Sequence, residues 1–250
     1  MTARATNTWR SIRDRGGAKN HAIVLPDADL DTATAVVGES AFACAGQRCL
    51  AVSVAITVGD VQKNFRDSIA DLAASVKMGY GLDEGVRMGP VITPDSRSRI
   101  EGLIAKGASD GATIVHDGRG AKVSRYESGN FVGPTVIDGV KPSSELSATE
   151  VFGPVLSLVH ANSLDEAIRI ISQSEYGNAA SLFTTNGATA RRFKYEAPAG
   201  NIGINIGVAA PIAYFPFSGW KASFFGDLHA QGRDAIEFYT EKKVVIERWA

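Results

Sequence analysis

Both cysteines of this 250-residue chain lie within one short apolar stretch, FACAGQRCLA, at residues 42–51. A cysteine reacts as the thiolate, and a neighbouring arginine lowers the pKa of a thiol when its guanidinium points toward the sulfur. Cys49 directly follows Arg48, in a turn that leads into an apolar segment. Backbone N–H groups freed in such a turn can stabilise an oxyanion on a carbonyl carbon that the thiolate attacks. Cys49 is therefore the candidate nucleophile, and the alternative is a small hydrophobic core residue.

The remaining chemistry-bearing residues form no familiar catalytic or metal-binding motif. Cys44 is predicted to lie within a helix, on a different face from Cys49, as a small core residue. The sequence has no G-x-S-x-G elbow, no G-x-x-x-x-G-K-[ST] loop and no G-x-G-x-x-G fingerprint. The four histidines are too scattered for a metal-ligand motif, and each is interpreted as a surface or structural residue. We therefore predict no metal site.

The composition is that of an ordinary globular protein, with 44% hydrophobic and 21% charged residues and a net charge of −1. This balance gives no electrostatic footprint for nucleic acid or for an anionic membrane. No apolar run reaches the roughly 18 residues that a membrane span needs. Two cysteines spaced five residues apart form neither a disulfide framework nor a C-x-x-C pair. A reducing, cytoplasmic location is expected.

The elements that must position Cys49 alternate between apolar runs and amphipathic segments. HAIVL (21–25) is predicted to be a buried strand, Asp29 to cap a helix that ends near Gly46, and residues 50–58 to form the next strand. Alternation of strands and helices continues through most of the chain and indicates an α/β fold with a mostly parallel sheet flanked by helices. Residues 208–232 are aromatic and loop-like, and FYTEKKVVIERW (238–249) is predicted to be a strand.

Longer segments resemble a known enzyme family. GGAKNHAIVLPDADLDTA (16–33), followed by AFACAGQRCLAVSVAI (41–56), resembles the core of an aldehyde dehydrogenase. G-A-K-N-H and the S-F-x-G-D stretch resemble the methylmalonate-semialdehyde dehydrogenase branch, which is CoA-acylating. The resemblance covers about residues 16 to 250. Further segments occur in the order of the family: MGPVI (88–92), GNFVGPTVI (129–137), EVFGPVLSLV (150–159), GNIGIN (200–205), FSGWKASFFGD (217–227) and EFYTEKKVV (237–245).

The resemblance implies a reaction at Cys49. The thiolate attacks a methylmalonate or malonate semialdehyde to give a thiohemiacetal, hydride leaves to NAD, and CoA takes the resulting thioester. Hydrolytic relatives activate water with a glutamate before G-G-K, and that position maps onto Arg15. A cation cannot be a general base, so this position favours CoA transfer over hydrolysis. Asp14, read as a displaced carboxylate, is the alternative.

The resemblance also implies residues of the cofactor site. Glu150 maps to the glutamate that hydrogen-bonds the nicotinamide ribose, and Phe152 maps to the aromatic residue beside the nicotinamide ring. Gly16 and Gly17 map to the backbone that approaches the nicotinamide amide, where the absence of a Cβ is an advantage. Considered without the resemblance, Glu150 is a solvated loop carboxylate and Phe152 is a core residue.

Two residues are candidates on the substrate side. Arg48 is interpreted as a receiver for the substrate carboxylate, since malonate-type semialdehydes carry one. Asn205 matches a family asparagine near the site, and a hydrogen bond at a strand end explains it equally well.

The domain organisation follows from the same resemblance. Residues 1–15 are predicted to be an irregular leader, 16–218 the α/β catalytic domain, and 219–250 a C-terminal return and oligomerisation segment. The dinucleotide-binding domain that precedes this region in the family is missing, so the NAD site is expected to be incomplete. Expected partners are the semialdehyde, CoA, and either further copies of the chain or a separate dinucleotide-binding chain. The alternatives are an inactive fragment that serves as an association module, and a weak thiol esterase.

Overall fold

The computed structural model of the protein describes residues 13–14 and 16–250. A short 3-10-like turn covers Ala43–Gly46, with non-helical backbone angles at Cys44 and Ala45. The strands are β1 (Arg13–Asp14), β2 (Asn20–Val24), β3 (Val52–Val58), β4 (Thr113–His116), β5 (Thr135–Asp138), β6 (Val155–Ala161), β7 (Tyr176–Gly177), β8 (Ala179–Phe183), β9 (Asn201–Ile204), β10 (Trp220–Lys221) and β11 (Phe225–Gly226). The helices are α1 (Leu30–Phe42), α2 (Val61–Ser75), α3 (Pro94–Ser109), α4 (Glu145–Ala148), α5 (Leu164–Gln173), α6 (Gly187–Glu196) and α7 (Gly232–Tyr239).

Seven strands form one sheet in the order β4-β5-β6-β3-β2-β8-β9. Neighbouring strands run parallel, except that β4 is antiparallel to β5. Strands β2, β3, β6 and β8 are almost entirely buried, which fits their nearly continuous apolar sequences. The predicted α/β fold, with a mostly parallel sheet flanked by helices, is confirmed.

Helices α2 and α3 contribute apolar stripes to the core beneath this sheet. Phe65 and Ile69 of α2 are fully buried, as are Ile100 and Ile104 of α3. Each pair is spaced by four residues and therefore lies on one face of its helix. Burial of each such side chain contributes about 1.5–3 kcal/mol to stability. This packing fixes the sheet on which the site is built.

Helix α1 runs from the end of β2 back to the turn that holds Cys49. Asp29 caps it as predicted, since its Oδ1 accepts a hydrogen bond from the N–H of Thr32 at 2.8 Å. The helix ends at Phe42, about one turn earlier than predicted. Cys44 and Ala45 have left-handed backbone angles, with φ of 53°, and a left-handed residue cannot continue a right-handed helix.

The two ends of the chain differ from the prediction. Arg13–Asp14 pairs with Phe225–Gly226 as a short antiparallel strand, although an irregular leader is predicted there. Arg15 and the rest of the leader lie outside the described residues. Phe238 and Tyr239 close α7, and residues 240–250 form no strand within the described chain. A strand needs a neighbour for its N–H and C=O groups, and this segment has none within the chain that the structure describes. No helix of the described chain is long and apolar enough to cross a membrane.

Candidate active site

Cys49 lies in a tight turn between the end of α1 and the start of β3. The N–H of Ala51 donates to the carbonyl oxygen of Arg48 at 3.0 Å, which closes a four-residue turn with Cys49 and Leu50 at its centre. Cys49 is exposed, whereas Leu50 and Ala51 are buried. The turn therefore presents the thiol to solvent while the residues that follow it are anchored in the core.

This turn lies at the amino edge of the parallel sheet, because Cys49 precedes β3. Ligands of open α/β sheets usually bind at the opposite edge, outside the carboxyl ends of the strands. The candidate site at Cys49 therefore lies at the less usual edge.

Two buried asparagines hold the carbonyl group of Cys49. Asn20, the first residue of β2, donates from Nδ2 to the Cys49 oxygen at 2.8 Å, and Asn178, just before β8, donates to the same oxygen at 2.7 Å. Asn20 also donates to the carbonyl oxygen of Ala51 at 2.9 Å. The sequence analysis missed both asparagines. Asn20 stands within G-A-K-N-H, but no local signal shows what its side chain contacts.

The G-Q pair of the A-G-Q-R-C segment joins this turn to a neighbouring loop. Gly46 has φ of 64°, and a Cβ there would lie 2.1 Å from the carbonyl oxygen of Gly153. Only glycine permits this approach. Gln47 donates from Nε2 to the carbonyl oxygen of Phe152 at 3.3 Å and accepts from the N–H of Ile92 at 2.9 Å. The Cys49 turn and the 150–153 loop are therefore held side by side.

Glu150 and Phe152 lie on that loop. Arg99 donates to the carbonyl oxygens of Glu150 and Val151, which fixes the backbone, and Phe152 is 39% exposed with φ of 47°. Partial burial raises the pKa of the Glu150 carboxyl, and a hydrogen bond from the backbone of Ala18 opposes that shift. Glu150 and Phe152 line one narrow crevice together with Gly46, Arg48, Ala18 and Asn20.

Lys19 is a second feature that the sequence analysis missed. Its side chain is 2% exposed, and its Nζ has no hydrogen-bond partner among the described residues. Burial lowers the pKa of this amine to about 7, and the negative charge of Glu150 acts in the opposite direction. The amino edge of the sheet therefore contains a buried amine, that of Lys19, whose charge no hydrogen bond within the described residues compensates.

Arg48 contacts the end of α1. Its Nη2 donates to the carbonyl oxygens of Glu39 at 2.9 Å and Ser40 at 3.1 Å in the last helical turn, and the Glu39 oxygen also accepts the N–H of Ala43. Its Nε is buried without a hydrogen-bond partner among the described residues. The contacts that the guanidinium makes within the chain are thus helix-capping contacts.

Comparison with known proteins identifies the family. Residues 1–245 match the sequence model described as "Aldehyde dehydrogenase family". The chain belongs to the aldehyde dehydrogenase family. The match includes residues 1–15, which the sequence analysis places outside the resemblance, so that boundary is wrong.

Several of the similar enzymes are semialdehyde dehydrogenases. Malonate-semialdehyde dehydrogenase from Halalkalibacterium halodurans is 46% identical over 245 residues, which are 98% of this chain and 50% of that protein. A crystal structure of methylmalonate-semialdehyde dehydrogenase from Oceanimonas doudoroffii has a TM-score of 0.93 and 44% identity, covering 95% of this chain and 49% of that one. A putative methylmalonate-semialdehyde dehydrogenase from Sinorhizobium meliloti, complexed with NAD, has a TM-score of 0.93 and 41% identity, with the same coverage. The chain spans about half the length of these relatives.

Gly16 and Gly17 of this aldehyde dehydrogenase chain have a packing reason to lack a Cβ. A Cβ on Gly16 would lie 1.8 Å from the carbonyl oxygen of Ala222, and one on Gly17 would lie 2.9 Å from the hydroxyl oxygen of Tyr176. Close approach within the chain therefore accounts for both glycines. Their predicted approach to the nicotinamide stays a prediction.

Asn205 lies apart from the other predicted site residues. Its Oδ1 accepts from the N–H of Thr184 and its Nδ2 donates to the carbonyl oxygen of Thr184, both at 3.0 Å. Asn205 follows β9 at the carboxyl edge, and five-residue strands separate the two edges by roughly 15 Å. The structure does not bring Asn205 together with Cys49, and its contacts match the strand-end alternative.

Cys44 is not the buried helical residue that the sequence predicts. It follows the end of α1 in a left-handed conformation and is exposed, like Cys49. That prediction is wrong because the helix ends before residue 44. Among the described residues, no three His, Cys, Asp or Glu side chains come together in a group that could hold a metal ion.

Proposed function

We propose that this chain forms the catalytic part of an NAD-dependent, CoA-acylating dehydrogenase of methylmalonate or malonate semialdehyde. The observation that supports this most strongly is the exposed Cys49 thiol, on a turn tied through Gln47 to the loop of Glu150 and Phe152. The names of the similar enzymes from Halalkalibacterium halodurans and Oceanimonas doudoroffii supply the substrate class.

The chemistry at Cys49 proceeds in two stages. The thiolate forms a C–S bond with the aldehyde carbon, and the carbonyl electrons move to the oxygen, giving a thiohemiacetal. The backbone N–H of Cys49 donates to no other backbone group within the described residues, so it is free to stabilise that oxyanion. Loss of hydride from the same carbon leaves a thioester on Cys49. The thiolate of CoA then attacks the thioester, and the Cys49 thiolate is released.

Bound NAD supplies the hydride acceptor for this reaction. The Glu150 carboxylate is an acceptor suited to ribose hydroxyls, and the exposed ring of Phe152 offers an apolar face. The crevice that they share has a volume of about 20 Å³, which is room for one water molecule. Glu150 and Phe152 thus offer contacts for one end of a dinucleotide, but the crevice is too small to enclose a nicotinamide ring.

Arg48 is proposed as the receiver of the substrate carboxylate. A buried donor without a partner costs about 1–3 kcal/mol, and the Nε of Arg48 is such a donor among the described residues. A substrate carboxylate could accept a hydrogen bond from this Nε if the side chains that cover it moved aside. A charge-assisted hydrogen bond from Nε to the carboxylate would also orient the substrate.

The proposal is tested by acyl transfer, which requires no NAD. The chain is mixed with p-nitrophenyl acetate with and without CoA, and p-nitrophenolate and acetyl-CoA are measured. We expect acylation of Cys49, acetyl-CoA as the product, and faster turnover with CoA. Cys49→Ala should abolish the reaction, whereas the matched Cys44→Ala should retain it. Turnover at one rate with and without CoA would indicate the thiol esterase instead, and absence of acylation would leave the association module.

We also propose that the C-terminal segment pairs with another chain. Val244, Ile246 and Trp249 are 84%, 93% and 86% exposed, an unusual density of apolar surface in ten residues. Size-exclusion chromatography with light scattering should show an oligomer, and Ile246→Lys should increase the fraction of monomer. A monomer at every concentration would contradict this assignment.

A further inference from the structure

The Cys49–Leu50 peptide group is held in one orientation by side chains from two strands far apart in sequence. Asn20 and Asn178 both donate to its oxygen, at 2.8 and 2.7 Å, across separations of 29 and 129 residues. Both side chains are more than nine-tenths buried. A backbone oxygen with two buried amide donors is pinned more firmly than one that faces water.

A third asparagine supports the arrangement. Asn201, the first residue of β9, donates from its N–H and from Nδ2 to the carbonyl oxygen of Asn178, at 3.0 and 2.9 Å. The Oδ1 of Asn20 accepts from the N–H of Ala179 at 3.1 Å. The asparagines thus form a row along the amino ends of β2, β8 and β9, which are neighbours in the sheet.

The pinned peptide is the central one of the turn, and this is the peptide that a turn can flip. Type I and type II turns differ mainly by rotation of that peptide, and type II needs a positive φ at the third residue. Leu50 has no positive φ. In a trans peptide the C=O and N–H point in opposite directions, so the Leu50 N–H faces away from the two asparagines.

We infer that Asn20 and Asn178 are positioning residues for the nucleophile: they hold the Cys49 carbonyl inward, so that the exposed thiol meets N–H groups instead of a carbonyl oxygen. Hydrogen bonding of a thiolate to N–H donors favours the ionised form, and a nearby carbonyl oxygen disfavours it. This inference depends on the proposed function only in taking Cys49 as the nucleophile.

Three charged side chains of the described residues bear on this turn. Arg48 lies on the turn and donates to the end of α1, Glu150 lines the shared crevice, and Lys19 immediately precedes β2. Asn178→Leu changes none of these groups and adds no charge, so a change in the titration of Cys49 in that variant is attributable to the amide contact.

The test is alkylation of the whole chain by iodoacetamide across pH, with mass spectrometry to follow each cysteine. Asn178→Leu removes the donor at similar volume. We expect the pH of half-maximal Cys49 alkylation to rise by about half to one unit, which slows the reaction about three- to tenfold at pH 7. The rate of Cys44, which is also exposed, should stay the same and serves as the internal standard.

Two further variants keep the test decisive. Asn178→Asp is isosteric and sets an anionic oxygen against the Cys49 carbonyl, so it should slow Cys49 at least as much. Thr57→Val removes a buried hydrogen bond at the opposite edge of the sheet and should leave Cys49 within twofold. An unchanged Cys49 profile in folded Asn178→Leu or Asn178→Asp would overturn the inference, and so would an equal shift in Thr57→Val. Alkylation needs neither NAD nor CoA, so failure of the proposed function would appear separately, as absence of acetyl-CoA.

Discussion

At the carboxyl edge of the sheet, Thr57 bonds to Nδ1 of His160 and Asp138 bonds to Nε2, each at 2.7 Å. Within the described residues at the amino edge, Lys19 and Arg48 each bury a nitrogen that has no partner. The Thr57, His160 and Asp138 side chains at the first edge pair with one another, although the hydroxyls of Thr34 and Ser157 are also buried without a partner among the described residues. At the amino edge, two asparagine side chains donate to the carbonyl oxygen of Cys49, and the Cys49 thiol is exposed.

This difference is consistent with the proposed site at the amino edge. Unpaired buried polar groups reduce stability, and they persist where another requirement holds them in place. A closed chain of hydrogen bonds, by contrast, offers no group to a substrate. The location of strand ends alone would favour the carboxyl edge as the site. The state of the polar groups favours the amino edge, where Cys49 lies.

The largest expected effect is the difference in acylation rate between a variant at the amino edge and a variant at the carboxyl edge. Cys49→Ala should lower acylation by p-nitrophenyl acetate at least about a thousandfold, because no other group replaces a missing nucleophile. Thr57 lies near the carboxyl end of β3, the strand that follows Cys49, and Thr57→Val should retain the acylation rate within twofold. The comparison is broken if the two variants lose similar amounts of activity while both remain folded by circular dichroism.

The fold was accessible from the sequence, which also singles out Cys49 as the candidate nucleophile, whereas most of the contacts around Cys49 were not accessible from it. Strand and helix periods and the Asp29 cap depend on local residue order, and so does the G-Q-x-C turn. The roles of Asn20 and Asn178 depend on β3, β2 and β8 being neighbours, which no local pattern reveals. Cys44 was misplaced because left-handed backbone angles at non-glycine residues leave no clear sequence signal.

The second prediction concerns the stability that the folded protein loses by burying Lys19 at the amino edge. Lys19→Met should raise the free energy of unfolding by about 2–4 kcal/mol at pH 7. The folded chain releases the Lys19 proton near pH 7, whereas the unfolded chain keeps it to about 10.5. The native protein therefore gains stability as the pH rises between these values, and the advantage of Met shrinks toward zero near pH 10.5. Urea unfolding at several pH values measures this, and a gain that does not vary with pH would contradict the cause.

A smaller effect is expected from opening the carboxyl edge. Asp138→Ala leaves Nε2 of His160 without its acceptor and removes the partner that lies 3.7 Å from Arg66. An unsatisfied, mostly buried donor costs about 1–3 kcal/mol. Unfolding by urea should show that loss, while the alkylation profile of Cys49 stays unchanged. A slower Cys49 in the folded variant would mean that the two edges are coupled through β3.

The smallest effect distinguishes two arginines that meet at one glutamate of the amino edge. Arg87 pairs with the Glu39 carboxylate at 2.9 Å, and both side chains are more than half exposed. Arg48 donates to the Glu39 carbonyl oxygen, and its Nε is buried. Exposed pairs contribute little because water and salt screen them, so Arg87→Ala should cost less than about 0.5 kcal/mol. Arg48→Met should cost more, since it removes the side-chain hydrogen bonds to the Glu39 and Ser40 carbonyl oxygens at the end of α1. Unfolding in low and high salt separates the cases: equal losses for both arginines would show that the amino edge is held by surface charge and not by contacts with the backbone.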